Sequence, residues 1–168
     1  MTFETLVNEW PHVLAEGSII ERVRRSADAE LDPYVENTGM ALTPEGREVL
    51  SGIYRGYLDV GRDTGLPMIL LTPTWRANPE RLRLAGLGDT KRVHIECFEF
   101  LDAIRKDYGD YAAIVPIGGL MSCRGDAYRP EAALGRHEAE SFHAEQVEAF
   151  AAAGVDFILA STLPSRTE

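Results

Sequence analysis

Short unbroken apolar runs alternate with longer segments of helical periodicity along this chain. The runs are Val13-Leu14-Ala15, Met68-Ile69-Leu70-Leu71, Ala112-Ala113-Ile114-Val115 and Val155-Asp156-Phe157-Ile158-Leu159-Ala160. They lack the polar alternation of a half-solvated strand, so they are expected as strands of a parallel sheet covered by helices. The segments between them read as helices. Thr43-Pro44-Glu45 is a start signal: a capping threonine, proline in the first turn and an acid at the positive dipole end. Val49, Leu50, Ile53, Tyr54, Tyr57 and Leu58 then fall on one 3.6-residue stripe, and Gly65 stops it. A second helix is capped by Asp89 or Thr90, with Val93, Cys97, Phe98, Leu101 and Ile104 inward. A third is expected over 130–153, opening at Pro130, carrying Leu134, Phe142, Val147 and Phe150, and closing on Gly154. Near the N-terminus, 2–10 reads as a short helix or arm, and Ile19, Ile20 and Val23 as a short amphipathic helix. Residues 26–42, broken by Pro33, Asn37 and Gly39, read as a loop excursion.

The stretch 112–130, AAIVPIGGLMSCRGDAYRP, predicts a strand, a glycine-rich loop at Gly118-Gly119 and a helix opening at Pro130. Ligands of α/β folds sit at such strand-to-helix loops. Small and polar residues follow every strand: Glu16-Gly17-Ser18, Thr72-Pro73-Thr74-Trp75, Gly118-Gly119-Leu120-Met121-Ser122 and Ser161-Thr162. Any one of these is ordinary turn chemistry; four on one rim point to a site. Strand starts near 13, 68, 112 and 155 leave later spacings of about 43–44 residues, the size of a βα unit with its loops. Residues 1–168 are therefore expected to form one α/β domain with about four βα units. Two architectures fit: half of a (β/α)8 TIM-type barrel, or a small open flavodoxin-like sheet, which would want a fifth strand and a closing helix.

Composition narrows the partners. A net charge of -10 and a pI near 4.9 argue against a nucleic-acid backbone or an anionic membrane. No apolar run approaches the roughly 20 residues of a membrane span, and MTFETLVNEWPHV carries no basic, then apolar, leader pattern. Two cysteines, Cys97 and Cys123, form no metal-ligand spacing, so no metal site is expected within the chain and a reducing, cytoplasmic setting is the default. His12, His94, His137 and His143 show no i, i+4 pairing and read as surface or packing residues. Trp75 is either a pocket wall or a support under 26–42. Asp126 and Tyr128 either line the pocket or form a surface turn.

The ordered set of loops resembles the homocysteine S-methyltransferase family over nearly the whole chain. Glu16-Gly17-Ser18 stands where the family has Asp-Gly-Gly or Asp-Gly-Ala after its first strand. Thr72-Pro73-Thr74-Trp75-Arg76-Ala77 matches its Thr-Asn-Thr-Tyr with a following Ala. Pro116-Ile117-Gly118-Gly119-Leu120, with Gly125-Asp126-Ala127-Tyr128 after it, matches its third-strand Gly-Ser-Ile-Gly-Pro and Gly-Asp-Tyr-like loop. His143 and Ala153-Gly154-Val155-Asp156 match its next helix and strand start. Ser161-Thr162-Leu163-Pro164 and Glu168 correspond to its Glu-Thr-x-Pro and later Glu.

The resemblance implies a (β/α)8 barrel in which zinc lowers the pKa of a thiol, making a thiolate that takes a methyl group from S-methylmethionine, betaine or a folate. The family's three zinc cysteines lie in its later half, and neither Cys97 nor Cys123 corresponds to one, so the ligands are expected beyond Glu168. Glu16, Gly17 and Ser18 are expected to bind the polar end of a thiol or amino-acid-like substrate, and Thr74, Gly118 and Ser161 to line its pocket. No catalytic residue is assigned. The family's fourth-strand Glu, which helps hold the amino acid's ammonium, is replaced by Ser161. The chain alone is expected not to transfer methyl groups. The alternative is a half-barrel binding or structural module that completes its sheet as a homo-oligomer.

Overall fold

A computed structural model describes residues 2–26, 30–165 and 168. Its elements are α1 (Phe3–Glu9), β1 (Leu14–Ala15), α2 (Ile19–Arg24), α3 (Pro44–Thr64), β2 (Met68–Leu71), α4 (Pro79–Leu84), α5 (Thr90–Lys106), β3 (Ile117–Met121), α6 (Arg136–Ala153) and β4 (Phe157–Ala160). The four strands are all parallel and lie in the order β1-β2-β3-β4. A flavodoxin-like sheet would place β1 inside, in the order 2-1-3-4. The sequential order is that of a partial (β/α) barrel, and it removes the flavodoxin-like alternative.

Local chemistry sets the helix ends as the sequence predicts. Thr43 accepts the Gly46 N–H, Asp89 accepts the Arg92 N–H, and Gly65 and Gly154 close α3 and α6 at φ 67° and 80°. One helix was not foreseen. Asn78 caps α4, with Pro79 and Glu80 in its first turn, repeating the Thr43-Pro44-Glu45 signature.

The third unit differs from expectation. The apolar run at 112–115 is not a strand: Gly109–Ile114 is a 3-10 helix. The Tyr111 hydroxyl donates to the Leu66 carbonyl at 2.7 Å and pins that turn beneath β2. The strand is Ile117–Met121, so Gly118 and Gly119 lie within it rather than in a ligand loop. Packing explains both glycines. A Cβ on Gly118 would collide with the Phe157 ring and Leu71, and one on Gly119 would meet the Phe150 ring of α6 at 2.5 Å. Small residues let β4 and α6 close on β3. Similarly, α6 starts at Arg136, because Pro130–Ala132 forms a separate 3-10 turn. β4 starts at Phe157, because the Asp156 carboxylate turns back to accept the Ile117 N–H at 2.7 Å and Arg105 at 3.0 Å.

Side chains alternate across the sheet. Met68, Leu70 and Ile117 point into the main core with Leu50, Tyr54 and Leu58 of α3 and Val93, Cys97 and Leu101 of α5. Leu71, Gly118 and Phe157 meet on the opposite face, where Phe3 of α1 stacks on Phe157 with ring centroids 3.8 Å apart. The 26–42 excursion contributes Val35 and Ala41 to the core, with 27–29 outside the described residues. Thr38 donates to the Pro73 carbonyl at 2.6 Å, holding this excursion against the end of β2.

The inner face of α6 is less apolar than its expected stripe. Val147 is exposed, and the buried positions include His143 and Gln146 beside Ala139, Ala149 and Phe150. Gln146 joins a buried polar chain. The Thr90 carbonyl accepts from His94 Nδ1 at 2.8 Å, so the proton sits on Nδ1 and Nε2 is free to accept. The Gln146 amide donates to His94 Nε2 and to the Thr74 carbonyl, both at 3.2 Å. This chain ties α5 and α6 to the loop after β2.

Candidate functional site

A cavity of about 400 Å³ opens at the C-terminal ends of the strands. Its floor comes from the strand ends: Glu16 after β1, Leu71 and Thr72 at β2, Leu120 in β3, and Leu159 with Ser161 and Thr162 at β4. Its sides come from α2, Tyr54 of α3, Trp75, and the Glu36-Asn37 edge of the excursion. Parallel topology places every strand's C-terminal end on this one rim, as in barrel enzymes.

Each strand end is fixed by a specific polar contact. β1 stops pairing through its backbone after Glu16, and the Glu16 carboxylate accepts the Leu71 N–H at 3.0 Å in its place. The Tyr54 hydroxyl donates to the Leu71 carbonyl at 3.1 Å, so both backbone polar groups of Leu71 are held. Burial pushes the Glu16 carboxyl well above the usual carboxylate range, against the opposing pull of the Leu71 N–H. Burial, and secondarily the nearby Glu16 charge, also raises the Tyr54 phenol. Between β2 and β3, Thr72 Oγ1 accepts the Leu120 N–H at 3.1 Å and Thr74 Oγ1 donates to the Leu120 carbonyl at 2.8 Å. The two hydroxyls meet at 2.7 Å. After β4, Thr162 takes φ 57°, a left-handed conformation that β-branched residues rarely adopt. Trp75 Nε1 and Ser122 Oγ hold it there through Thr162 Oγ1, at 3.1 and 2.9 Å.

The structure brings four of the six expected substrate-contacting residues to this cavity: Glu16, Gly17, Ser18 and Ser161. Ser18 Oγ is already engaged as the cap of α2, accepting the Glu21 N–H at 3.3 Å. A Cβ on Gly17 would meet the Tyr57 hydroxyl at 2.8 Å, the movable end of a half-buried side chain. Thr74 and Gly118 stand behind the wall instead of on it. Thr74 is fully buried in the contact to Leu120, and Gly118 lies deeper in β3 against Phe157. Trp75 forms a wall, with the Arg76 guanidinium 4.5 Å above its ring. Asp126 and Tyr128 form a surface turn: Asp126 accepts the Tyr128 N–H, and Tyr128 is 92% exposed.

Sequence reasoning missed Tyr54, Leu71 and the rim group around Arg24 as cavity residues. Tyr54 sits on the apolar stripe of α3 and was assigned to the core, which it also occupies. Arg24 donates to Glu21 at 2.6 Å and to Glu36 at 3.1 Å, bridging α2 to the excursion.

Neither cysteine is disposed as a nucleophile or ligand. Cys97 is fully buried on α5, and burial pushes its thiol up to about 12. Cys123 is buried, with its thiol 3.4 Å from the Gly125 carbonyl. Among the described residues no three His, Cys, Asp or Glu side chains converge as a metal-ligand set. No helix of the described residues is long and apolar enough to cross a membrane.

The family model described as homocysteine S-methyltransferase matches residues 13–168. No curated protein matches the chain.

Proposed function

Because the chain belongs to the homocysteine S-methyltransferase family, we propose that the rim cavity is the thiol-acceptor half of a methyl-transfer site. The observation that carries this reading is the coincidence of the family match with a cavity at the C-terminal strand ends, the catalytic face of barrel enzymes. Family membership implies small-molecule substrates. Leu71, Leu120 and Leu159 would pack against the acceptor's carbon chain, and Ser161 and Glu16 would meet its polar end. Zinc, when bound in this family, activates the thiol. Cys97 and Cys123 do not fit that task, so its ligands would be other residues, beyond Glu168. On this reading residues 1–168 act as one α/β domain, in a cytoplasmic setting, and bind an acceptor thiol without turning it over. The test is a methyl-transfer assay of the 168-residue chain with S-methylmethionine, homocysteine and zinc. No product above the uncatalysed rate is expected, and zinc-dependent turnover would overturn the assignment of thiol activation to residues outside 1–168.

One observation favours a second reading, a self-associating half-barrel. β4 pairs only with β3 among the described residues, and Ile158 and Leu159 are 39% and 41% exposed. An unpaired edge with apolar neighbours is a template for another strand. A second copy would offer its own β1 to β4 and receive the reciprocal pairing. Light scattering decides: a dimer across a range of concentrations supports this reading, and a monomer at all of them removes it.

A further inference from the structure

Asn37 brings to the cavity a side-chain amide that the described fold does not use. The residue is 3% exposed and lines the cavity from the excursion side. Its neighbours are anchored. Val35 and Thr38 are fully buried, the Thr38 hydroxyl donates to the Pro73 carbonyl, and Asp32 and Glu36 exchange backbone hydrogen bonds at 3.0 Å. The Asn37 carbonyl accepts the Met40 N–H, but its side-chain amide has no hydrogen-bond partner among the described residues. Side-chain polar atoms sealed from solvent without a partner are confined, among the described residues, to His143. The Asn37 amide is therefore not sealed, and the space it meets is the cavity. A buried amide left unpaired costs stability. Folding alone gives no reason for asparagine here; the partner has to come from the cavity.

An amide carries both an acceptor and donors, so it does not by itself choose between a ligand's ammonium and its carboxylate. The charges beside it do. Glu36 precedes Asn37 in the chain, and Glu21 and Glu36 share the Arg24 guanidinium at 2.6 and 3.1 Å. Arg24 is the only cation among the described lining residues, and the remaining acid, Glu16, is committed to the Leu71 N–H. The Glu21–Arg24–Glu36 cluster thus keeps one carboxylate charge in excess at the rim, which favours a cation. With no internal partner to fix its orientation, the amide is free to turn its oxygen toward that cation.

We propose, on the basis of the thiol-acceptor reading above, that Asn37 receives the ammonium group of the acceptor, its amide oxygen accepting an ammonium N–H beside the excess negative charge of Glu21, Arg24 and Glu36. Asn37 is then a specificity-determining residue supplied by the excursion, and it selects thiols that carry a primary amine.

The experiment measures calorimetric affinities of the 168-residue chain for homocysteine, for 3-sulfanylpropylamine, which lacks the carboxylate, and for 4-sulfanylbutanoate, which lacks the ammonium. The wild type is expected to bind 4-sulfanylbutanoate more weakly than homocysteine by about tenfold or more. Asn37→Leu keeps the bulk and removes the amide. It is expected to weaken homocysteine and 3-sulfanylpropylamine by about tenfold and to leave 4-sulfanylbutanoate nearly unchanged. Asn37→Asp keeps an acceptor oxygen and is expected to bind 3-sulfanylpropylamine at least as tightly as the wild type. If Asn37→Leu does not fold, the wild-type order and Asn37→Asp still decide the question. Equal wild-type affinity for homocysteine and 4-sulfanylbutanoate, an equal loss of all three thiols in Asn37→Leu, or weaker 3-sulfanylpropylamine binding by Asn37→Asp overturns the role of Asn37 while leaving the thiol pocket intact. Binding of none of the three by the wild type overturns the thiol-acceptor reading itself.

Discussion

His94 gives a prediction that follows from buried geometry alone. The ring is 1% exposed, lies edge-on to Phe150, and spends both nitrogens on the Thr90 carbonyl and the Gln146 amide. Protonation would put a hydrogen on Nε2, facing the Gln146 N–H that now donates to it. Burial, outweighing the Thr90 contact, holds the imidazole down at about 4 from an ordinary 6.5. The unfolded chain therefore binds a proton that the folded chain refuses between those two values, and stability falls as pH falls through that window. From pH 7 to pH 5 the loss attributable to His94 is roughly 2 kcal/mol, and it levels off below about pH 4. Other groups titrate over the same range, so the informative quantity is a difference. Urea unfolding of the wild type and of His94→Gln should be followed at pH 7, 6 and 5. The variant is expected to be less stable at pH 7, having lost the fitted ring, but to lose roughly 2 kcal/mol less on acidification. Two stability curves that stay parallel from pH 7 to pH 5 would refute the reasoning.

Other consequences are simpler to read. Gly119→Ala should destabilise by about 1–3 kcal/mol in urea unfolding, because its methyl group enters the Phe150 ring; an unchanged midpoint would show that α6 yields freely. Thr72→Val removes the acceptor of the buried Leu120 N–H and should cost about 1–3 kcal/mol, while an unaltered transition would mean the strand end relaxes onto water. Glu16 has the opposite pH sign to a paired surface acid. Its folded value is raised, so its favourable contribution is complete below the usual carboxylate range and is lost as pH rises through the folded value. Glu16→Gln should therefore gain stability relative to wild type at pH 8 compared with pH 4, and a gain confined to pH 4 would contradict its burial.

Much of the fold was legible because the signals were local. The β2 run Met68-Ile69-Leu70-Leu71, the Thr43 and Asp89 caps and the Gly65 and Gly154 stops each act within a few residues, and the structure places them as read. The third unit was misplaced because the reason for Gly118 and Gly119 is long-range. Nothing nearby in sequence reveals that Phe157 and Phe150 will fill the space above them. The apolar run 112–115 has strand-like composition, yet the tertiary contact of Tyr111 to Leu66 fixes it as a 3-10 turn. The site was half legible for the same reason. Strand-end loops announce Glu16 and Ser161, but that the Glu16 carboxyl closes a strand ladder and that Arg24 bridges Glu21 and Glu36 at the rim are facts of three-dimensional pairing. Asn78-Pro79-Glu80 did carry a readable signal for α4, the same one used at Thr43.

The central claim is that the acceptor thiol enters the cavity where the four strands end. Amide chemical shifts of the isotopically labelled chain, recorded during titration with propanethiol and separately with homocysteine, test it most directly. The account predicts shifts concentrated at Gly17, Leu71, Leu120 and Ser161, which belong to four different strand ends and share only this cavity. Saturable shifts confined to another region, such as the outer edge of β4, or no saturable shift with either thiol, would contradict it.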